Sequence, residues 1–206
     1  MIDESSLSLV RPETAAAYAA ALSPEDIAPL VERLASAEDR IRYPAFLLLR
    51  ERSAVAADVL PFWDTFTGKL TSANSYQRSI GATLLAANAR HDAQGRMRAA
   101  LPNYLALLCD EKPVTVRQCA QSLREILAAQ PALSGEIAAA LMRVDLSAVR
   151  ETMRKPILTD ILEALMLVRG ISPSAEVEAY LFAALGGGIL DERAKKQFRA
   201  RLQAQI

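Results

Sequence analysis

Two helical patterns of apolar residues, separated by a short polar segment, occupy the stretch Leu101–Leu127. In the first half, Ala100, Tyr104 and Leu107 are spaced i, i+4 and i+7, which places them on one side of an α-helix. In the second half, the apolar positions are spaced i, i+4, i+7 and i+11 and are Val116, Ala120, Leu123 and Leu127. Two amphipathic helices joined by so short a turn predict an antiparallel helical hairpin.

The same arrangement recurs before and after this hairpin. First-helix stripes surround Pro29 and Pro61 as the stripe above surrounds Pro102, which we expect in the first turn of its helix. These stripes are Ile27, Val31 and Leu34, then Val59, Trp63 and Phe66. The matching second-helix stripes are Ile41, Ala45 and Leu48, then Tyr76, Ile80 and Ala87, and finally Val149, Met153 and Ile157. Because one hairpin buries too little surface to be stable alone, this self-similarity predicts stacked hairpins, an α-solenoid.

The repeat has a recognisable local pattern. A proline in the first helix, a turn rich in Asp, and Val-Arg-x-x-Ala at the start of the second helix resemble the HEAT repeat, of the HEAT and armadillo class. The residue after the first stripe position of each second helix recurs every 33 to 40 residues, as Arg42, Gln77, Arg117 and Arg150. The resemblance covers roughly residues 24–169. It implies an all-α, HEAT-like α-α superhelix of about four helical hairpins with capping helices at both ends.

We expect one domain over residues 1–206, with a tail and cap helix in 1–22, repeats in 23–169 and capping helices in 170–206. An Ala-rich helix is predicted over Pro12–Leu22. A long helical pattern runs over Asp145–Val168, with a kink or break expected at Pro156. The last helix opens at Asp191 and carries the stripe Leu190, Ala194, Phe198, Leu202 and Ile206.

Charge and cysteine content limit the function classes. With 24 basic and 24 acidic residues the net charge is zero, which argues against nucleic-acid binding by the protein as a whole. The acidic start Met1–Glu4 does not resemble a signal peptide, and apolar runs such as Ile161–Val168 are too short to span a bilayer. Cys109 and Cys119 do not indicate a disulfide framework and are expected to be buried. These features favour a cytoplasmic protein that does not enter membranes.

The repeat arginines have two interpretations. Arg42, Arg117 and Arg150 could form a ladder that binds phosphates or an acidic peptide. The favoured alternative is structural: each pairs with a carboxylate of its turn and holds one repeat to the next. The candidate carboxylates are Asp39, Asp110 and Asp145.

The outward side of the second helices carries a mixed polar surface. The candidate partner-binding residues are Arg78, Gln118, Gln121, Arg124, Arg154 and Lys155. We expect a non-enzymatic scaffold that binds a protein or peptide there. The alternative is a nucleic-acid-binding or DNA-repair protein that uses a local basic patch. Its residues would be Arg78, Arg117, Arg124, Arg150, Arg154 and Lys155.

The remaining chemistry-bearing residues favour structural interpretations. Trp63 shares a core stripe position, although it could anchor a ligand. His91 is the only histidine, so no metal cluster is indicated, and no catalytic motif predicts an enzyme or a cofactor. The basic run of the last helix is expected to be a solvated face, although it could contact an acidic partner. Its residues are Arg193, Lys195, Lys196, Arg199 and Arg201.

Overall fold

The structure is a computed structural model that describes residues 7–204. Predictions for residues 1–6, including the Met1–Glu4 segment, and for Ile206 in the last stripe lie outside the described residues. Within residues 7–204 the chain forms α-helices and short 3₁₀ turns and contains no β-strand. The all-α class predicted from the sequence is therefore confirmed.

Eleven α-helices occur in the described residues. They are α1 (Ala15–Ala20), α2 (Ile27–Arg33), α3 (Asp39–Val55), α4 (Trp63–Lys69), α5 (Ser75–Asn88), α6 (Arg96–Ala106), α7 (Pro113–Ala129), α8 (Ser134–Met142), α9 (Glu151–Ile171), α10 (Ala175–Gly186) and α11 (Glu192–Ala204). The chain divides into two compact units, Met1–Ala100 and Leu101–Ile206, with the division inside α6. That residues 1–206 form one domain stays a prediction.

The first unit is built on two helical pairs. Helix α2 packs against α3 and α4 against α5, while the second helices α3 and α5 also pack against each other. Helix α1 covers α3, as expected of a cap. The middle of α5 is buried on every side, from Ile80 to Asn88. A side chain at residue 81 would collide with the α4 backbone, so Gly81 lets α4 approach α5 closely.

The second unit is organised around α9. Helix α7 packs against α9, which also contacts α8 and α10, and α11 packs against α10. The α6–α7 hairpin is centred on Tyr104 and Leu123, both fully buried. Its first- and second-helix stripes are buried throughout, as are the first-helix stripes of the two earlier hairpins. These sequence predictions are confirmed.

The prediction that Tyr76 is the first buried residue of a second-helix stripe is wrong. Asn74 caps α5 by accepting a hydrogen bond from the Tyr76 N–H, so Tyr76 lies in the first turn of the helix. Its side chain is 66% exposed, because burial of α5 begins only at Ile80. Val149 and Met153 are only half-buried, and Val149 precedes α9.

Two prolines lie inside helices without ending them. Helix α6 begins at Arg96, so Pro102 is inside the helix and not in its first turn. Helix α9 is continuous through Pro156, so of the predicted kink or break the break does not occur. A proline removes one backbone hydrogen bond of a helix. The buried residues that follow Pro156, including Ile157 and Ile161, hold the helix in place across the gap.

Candidate functional site

A turn motif that the alignment of apolar stripes does not include precedes two second helices of the first unit. Residues 36–42 and 72–78 both read Ser-Ala-x-x-x-x-Arg. In each, the serine hydroxyl accepts a hydrogen bond from the backbone N–H two residues later, at 3.1 and 3.2 Å. The arginine guanidinium donates to the carbonyl of the same serine, from Arg42 to Ser36 at 3.1 Å and from Arg78 to Ser72 at 2.8 Å.

This motif corrects the alignment of the repeats. The structural equivalent of Arg42 is Arg78, whereas the stripe spacing had matched Arg42 to Gln77. Arg78, a candidate partner-binding residue, is half-buried and also donates to the Ala73 carbonyl at 3.0 Å. Its guanidinium therefore holds the turn before α5. The signal was present in the sequence as the repeated Ser-Ala pair, but it lies outside the apolar pattern.

The first of these arginines packs against an exposed tyrosine. The Arg42 guanidinium lies 5.1 Å from the centroid of the Tyr76 ring, a cation–π contact. Tyr43, next to Arg42 in the sequence, is 46% exposed. The Tyr76 ring thus contacts Arg42 and is otherwise open to solvent. The apolar spacing had assigned this tyrosine to the core.

The residues at the predicted repeat position have different partners. Arg42 pairs with Asp39 of its own turn at 2.9 Å. Gln77 donates to the Leu34 carbonyl at 2.7 Å and so joins the second hairpin to the first. Arg150 is exposed and directly precedes α9, and its side chain makes no capping hydrogen bond to that helix.

Arg117 pairs with a buried carboxylate on a neighbouring helix. Its Nε donates to Asp160 Oδ2 at 2.6 Å, which links α7 to α9, whereas the predicted partner was Asp110 of the preceding turn. Gln121 donates to the other oxygen of the same carboxylate at 3.0 Å. The Asp160 side chain is only 9% exposed. The interpretation that pairs Arg117 with its own turn is wrong, because the long guanidinium reaches across to the neighbouring helix.

Further ion pairs connect α9 to the segment of α11. Lys155 pairs with Asp191, the residue before α11, and this contact holds the pKa of Asp191 below its ordinary value. Arg201 of α11 donates to both oxygens of Glu163, at 2.5 and 2.9 Å, and this carboxylate raises the pKa of Arg201. We call the outward side of α7, α9 and α11, which these contacts join, the unit-2 polar surface.

The other candidate residues occupy this surface in different ways. Arg154 is half-buried and donates to the carbonyls of Val149 and Ser147, at 3.0 and 3.1 Å, so its guanidinium closes the turn before α9. Arg124 is exposed, and its Nε donates to the Gln121 carbonyl at 3.2 Å. Gln118 is half-buried on the same helix. Arg124 and Gln118 are the candidates that the structure leaves most available to a partner.

The basic run of α11 is largely engaged inside the chain. Lys195 pairs with Glu192 at 2.9 Å, which lowers the pKa of that carboxyl. Arg199 donates to the Leu185 carbonyl at 3.2 Å, and Arg201 pairs with Glu163. Arg193 and Lys196 are exposed.

The cysteines differ in their environments. Cys119 is fully buried, its thiol donates to the Tyr104 carbonyl at 3.4 Å, and burial raises its pKa. Cys109 is exposed in the turn between α6 and α7, so the expectation that both cysteines are buried is wrong for Cys109. A raised thiol pKa makes Cys119 a poor nucleophile.

Trp63 and His91 belong to the packing of the first unit. Trp63 is 2% exposed and lies under the Arg96 guanidinium, 5.2 Å from the ring centroid, so its assignment to the core is confirmed. The His91 Nε2 is 2.8 Å from the Ser53 carbonyl. In residues 7–204, no cluster of three or more His, Cys, Asp or Glu side chains is arranged to hold a metal ion.

The fold and this surface define an all-helical protein whose second unit carries a polar face joined by ion pairs. No model of a known protein family matches the chain, and no curated protein is similar to it in sequence. Among the described helices, none combines the length and the apolar character that crossing a membrane requires.

Proposed function

We propose that the protein is a non-enzymatic binding module of stacked, HEAT-like helical hairpins, and that the unit-2 polar surface binds a protein or peptide. The repeat type is supported by the recurrence of the hairpins and by the turn motif that Arg42 and Arg78 share. In both units, successive second helices pack against each other, as stacking of hairpins requires.

One observation carries the choice of ligand: the candidate cations Arg117, Arg154 and Lys155 of this surface are already neutralised or hydrogen-bonded. Lys155 pairs with Asp191 and Arg117 with Asp160, while Arg154 donates to backbone carbonyls. Nucleic-acid binding depends on cations that are free to replace the counterions of phosphates. A surface of balanced charge suits a protein ligand, whose own polar groups can pair with Gln118 and Arg124.

Selection from a displayed peptide library against the purified protein tests this proposal. The test variant combines Gln118→Glu and Arg124→Glu. The control is Arg143→Glu, directly after α8, because Arg143 is exposed and its Nε also donates to a nearby helix carbonyl, at 3.0 Å. We expect selected peptides to lose at least about tenfold in affinity on the double variant and to be unaffected by the control. Peptides that bind the double variant equally well would place the site elsewhere.

The competing function is tested by fluorescence anisotropy with labelled duplex and single-stranded DNA at low and moderate salt. We expect no saturable binding at tens of micromolar protein. Salt-sensitive binding that is lost on reversing Arg124, Arg154 and Lys155 to Glu would overturn the proposal in favour of nucleic-acid recognition.

A further inference from the structure

Helices α7 and α9 lie side by side and run in the same direction. Pro113 and Val116 of α7 line the same groove as Val149 and Arg150, which stand just before α9, so both helices begin at the same edge of the second unit. The two helices pack against each other. Seven residues make about two turns of an α-helix, so residues seven positions further along return to nearly the same side. A contact between parallel helices therefore predicts which residues meet two turns later.

The contact around Asp160 has such a counterpart. The residues two turns after Arg117, Gln121 and Asp160 are Arg124, Ala128 and Leu167, respectively. Arg124 and Ala128 are exposed, and Leu167 is 39% exposed. The later contact thus repeats the arginine of the earlier one, but α9 has a leucine where the earlier contact has a carboxylate.

The charge of Arg124 has no carboxylate partner in residues 7–204. Its Nε donates to the Gln121 carbonyl of the same helix, and its two Nη atoms have no hydrogen-bond partner there. Glu163 is the carboxylate closest to Leu167 in the sequence, and Arg201 already donates to both of its oxygens. An exposed guanidinium beside apolar side chains is suited to a carboxylate that comes from outside the chain.

We infer that Arg124, Ala128 and Leu167 bind an acidic residue of a partner peptide together with an apolar residue close to it. The peptide carboxylate pairs with Arg124 as Asp160 pairs with Arg117, and the apolar side chain packs on Leu167 and Ala128. An ion pair in water contributes little to affinity, but apolar neighbours that exclude water strengthen it. This inference rests on the proposed function and adds the chemistry of the ligand.

Two matched displayed peptide libraries test the inference. Both have random sequences, except that the central residue is fixed as Glu in one library and as Gln in the other. We expect the Glu library to yield binders enriched at least about tenfold over the Gln library, with an apolar residue within about four positions of the Glu. The purified full-length chain is the target in both selections.

A double-mutant cycle on the selected peptides then tests the pairing with Arg124. Replacing the central Glu of a peptide by Gln should weaken its binding to the wild-type chain by at least about tenfold. The same replacement should have little effect on binding to Arg124→Gln, because the carboxylate has no partner in that variant. An equal loss on both proteins would overturn the inference.

Failure of the inference can be told apart from failure of the proposed function. If neither library yields a binder, both are wrong. If both libraries yield binders equally, and these lose affinity on the Gln118→Glu and Arg124→Glu double variant, the proposed function stands and the inference is wrong.

Leu167→Asp tests the predicted neighbourhood of Arg124. This change places a carboxylate where the earlier contact has Asp160, so Arg124 gains a partner within the chain and the peptide should bind at least about tenfold more weakly. The control is Phe182→Asp on α10, because Phe182 is 64% exposed and lies outside the unit-2 polar surface. Circular dichroism verifies that both variants are folded. Equal effects of the two substitutions on peptide affinity would overturn the inference.

Discussion

At the scale of single residues, Gly81 has the tightest surroundings of the glycines. A Cβ atom at this position would lie 2.7 Å from the Phe66 carbonyl oxygen and 2.8 Å from the Lys69 Cβ. Both atoms belong to the α4 segment and neither is the mobile end of a side chain. Helix α4 can therefore pack against α5 at this distance only if residue 81 has no side chain.

We predict that Gly81→Ala destabilises the protein by about 1 to 2 kcal/mol, because the strain of separating two packed helices exceeds the gain in helix propensity. The control is Gly68→Ala in α4, where a Cβ would meet nothing within 4 Å. That change should be neutral or stabilising by up to about 1 kcal/mol. Chemical denaturation measures both. Equal stability of the two variants would show that the helices can move apart without cost.

Spacing alone identified which residues are buried better than it identified their partners. The first-helix stripes, including Trp63 and Tyr104, are buried as predicted, because the helical period fixes the side on which a residue lies. Tyr76 is exposed although it fits the period, since a stripe does not show where neighbouring helices stop covering it. Cys109 is also exposed, because it lies in the turn after α6, where no helix covers it.

At the scale of helices, Asp160 joins α7 to α9. Its carboxylate accepts hydrogen bonds from Arg117 and Gln121 and has little contact with water. The sequence could not identify this pairing, because Asp160 is 43 residues from Arg117 and lies among apolar positions of α9. Pairing with a nearby turn carboxylate was the simpler expectation. Such contacts depend on which helices pack side by side, and the apolar periodicity of each helix does not show which helices are neighbours.

We predict that Asp160→Ala destabilises the protein by about 1 to 3 kcal/mol, because two donors lose a buried acceptor. The matched control is Asp39→Ala, which removes the ion pair with Arg42 from a carboxylate that is 79% exposed. An exposed pair contributes at most about 1 kcal/mol. Thermal or urea unfolding compares the two variants. A loss in Asp160→Ala no larger than in the control would mean that the contact between α7 and α9 does not depend on this carboxylate.

At the scale of the whole molecule, the sequence predicted the all-α class and the succession of hairpins, because both follow from periodicity and turn residues. It left both a kink and a break at Pro156 open, and the structure excludes the break. A local rule counts the hydrogen bond that proline removes but not the burial of the residues that follow it. The composition shows that the numbers of basic and acidic residues are equal. Only the structure shows that these residues form ion pairs between different helices.

This balance predicts how stability depends on pH. Hydrogen bonds from Ser147 lower the pKa of Asp145, Lys155 lowers that of Asp191, and Lys195 lowers that of Glu192. Because these folded-state pKa values lie below the ordinary values of 3.8 and 4.5, the folded chain favours the ionised carboxylates. Their contribution to stability is complete above the ordinary values and is lost as the pH falls through the folded ones.

We therefore expect the unfolding temperature to be nearly constant from about pH 7 to about pH 5 and to fall below about pH 4.5. Asp191→Asn removes one of the three groups, so its unfolding temperature should be lower than that of the wild type at neutral pH and should fall less steeply in acid. Differential scanning calorimetry at a series of pH values measures both curves. Parallel curves for the two proteins would show that the Lys155–Asp191 pair does not contribute to the acid sensitivity. A loss of stability already between pH 7 and pH 5 would assign that sensitivity to other groups.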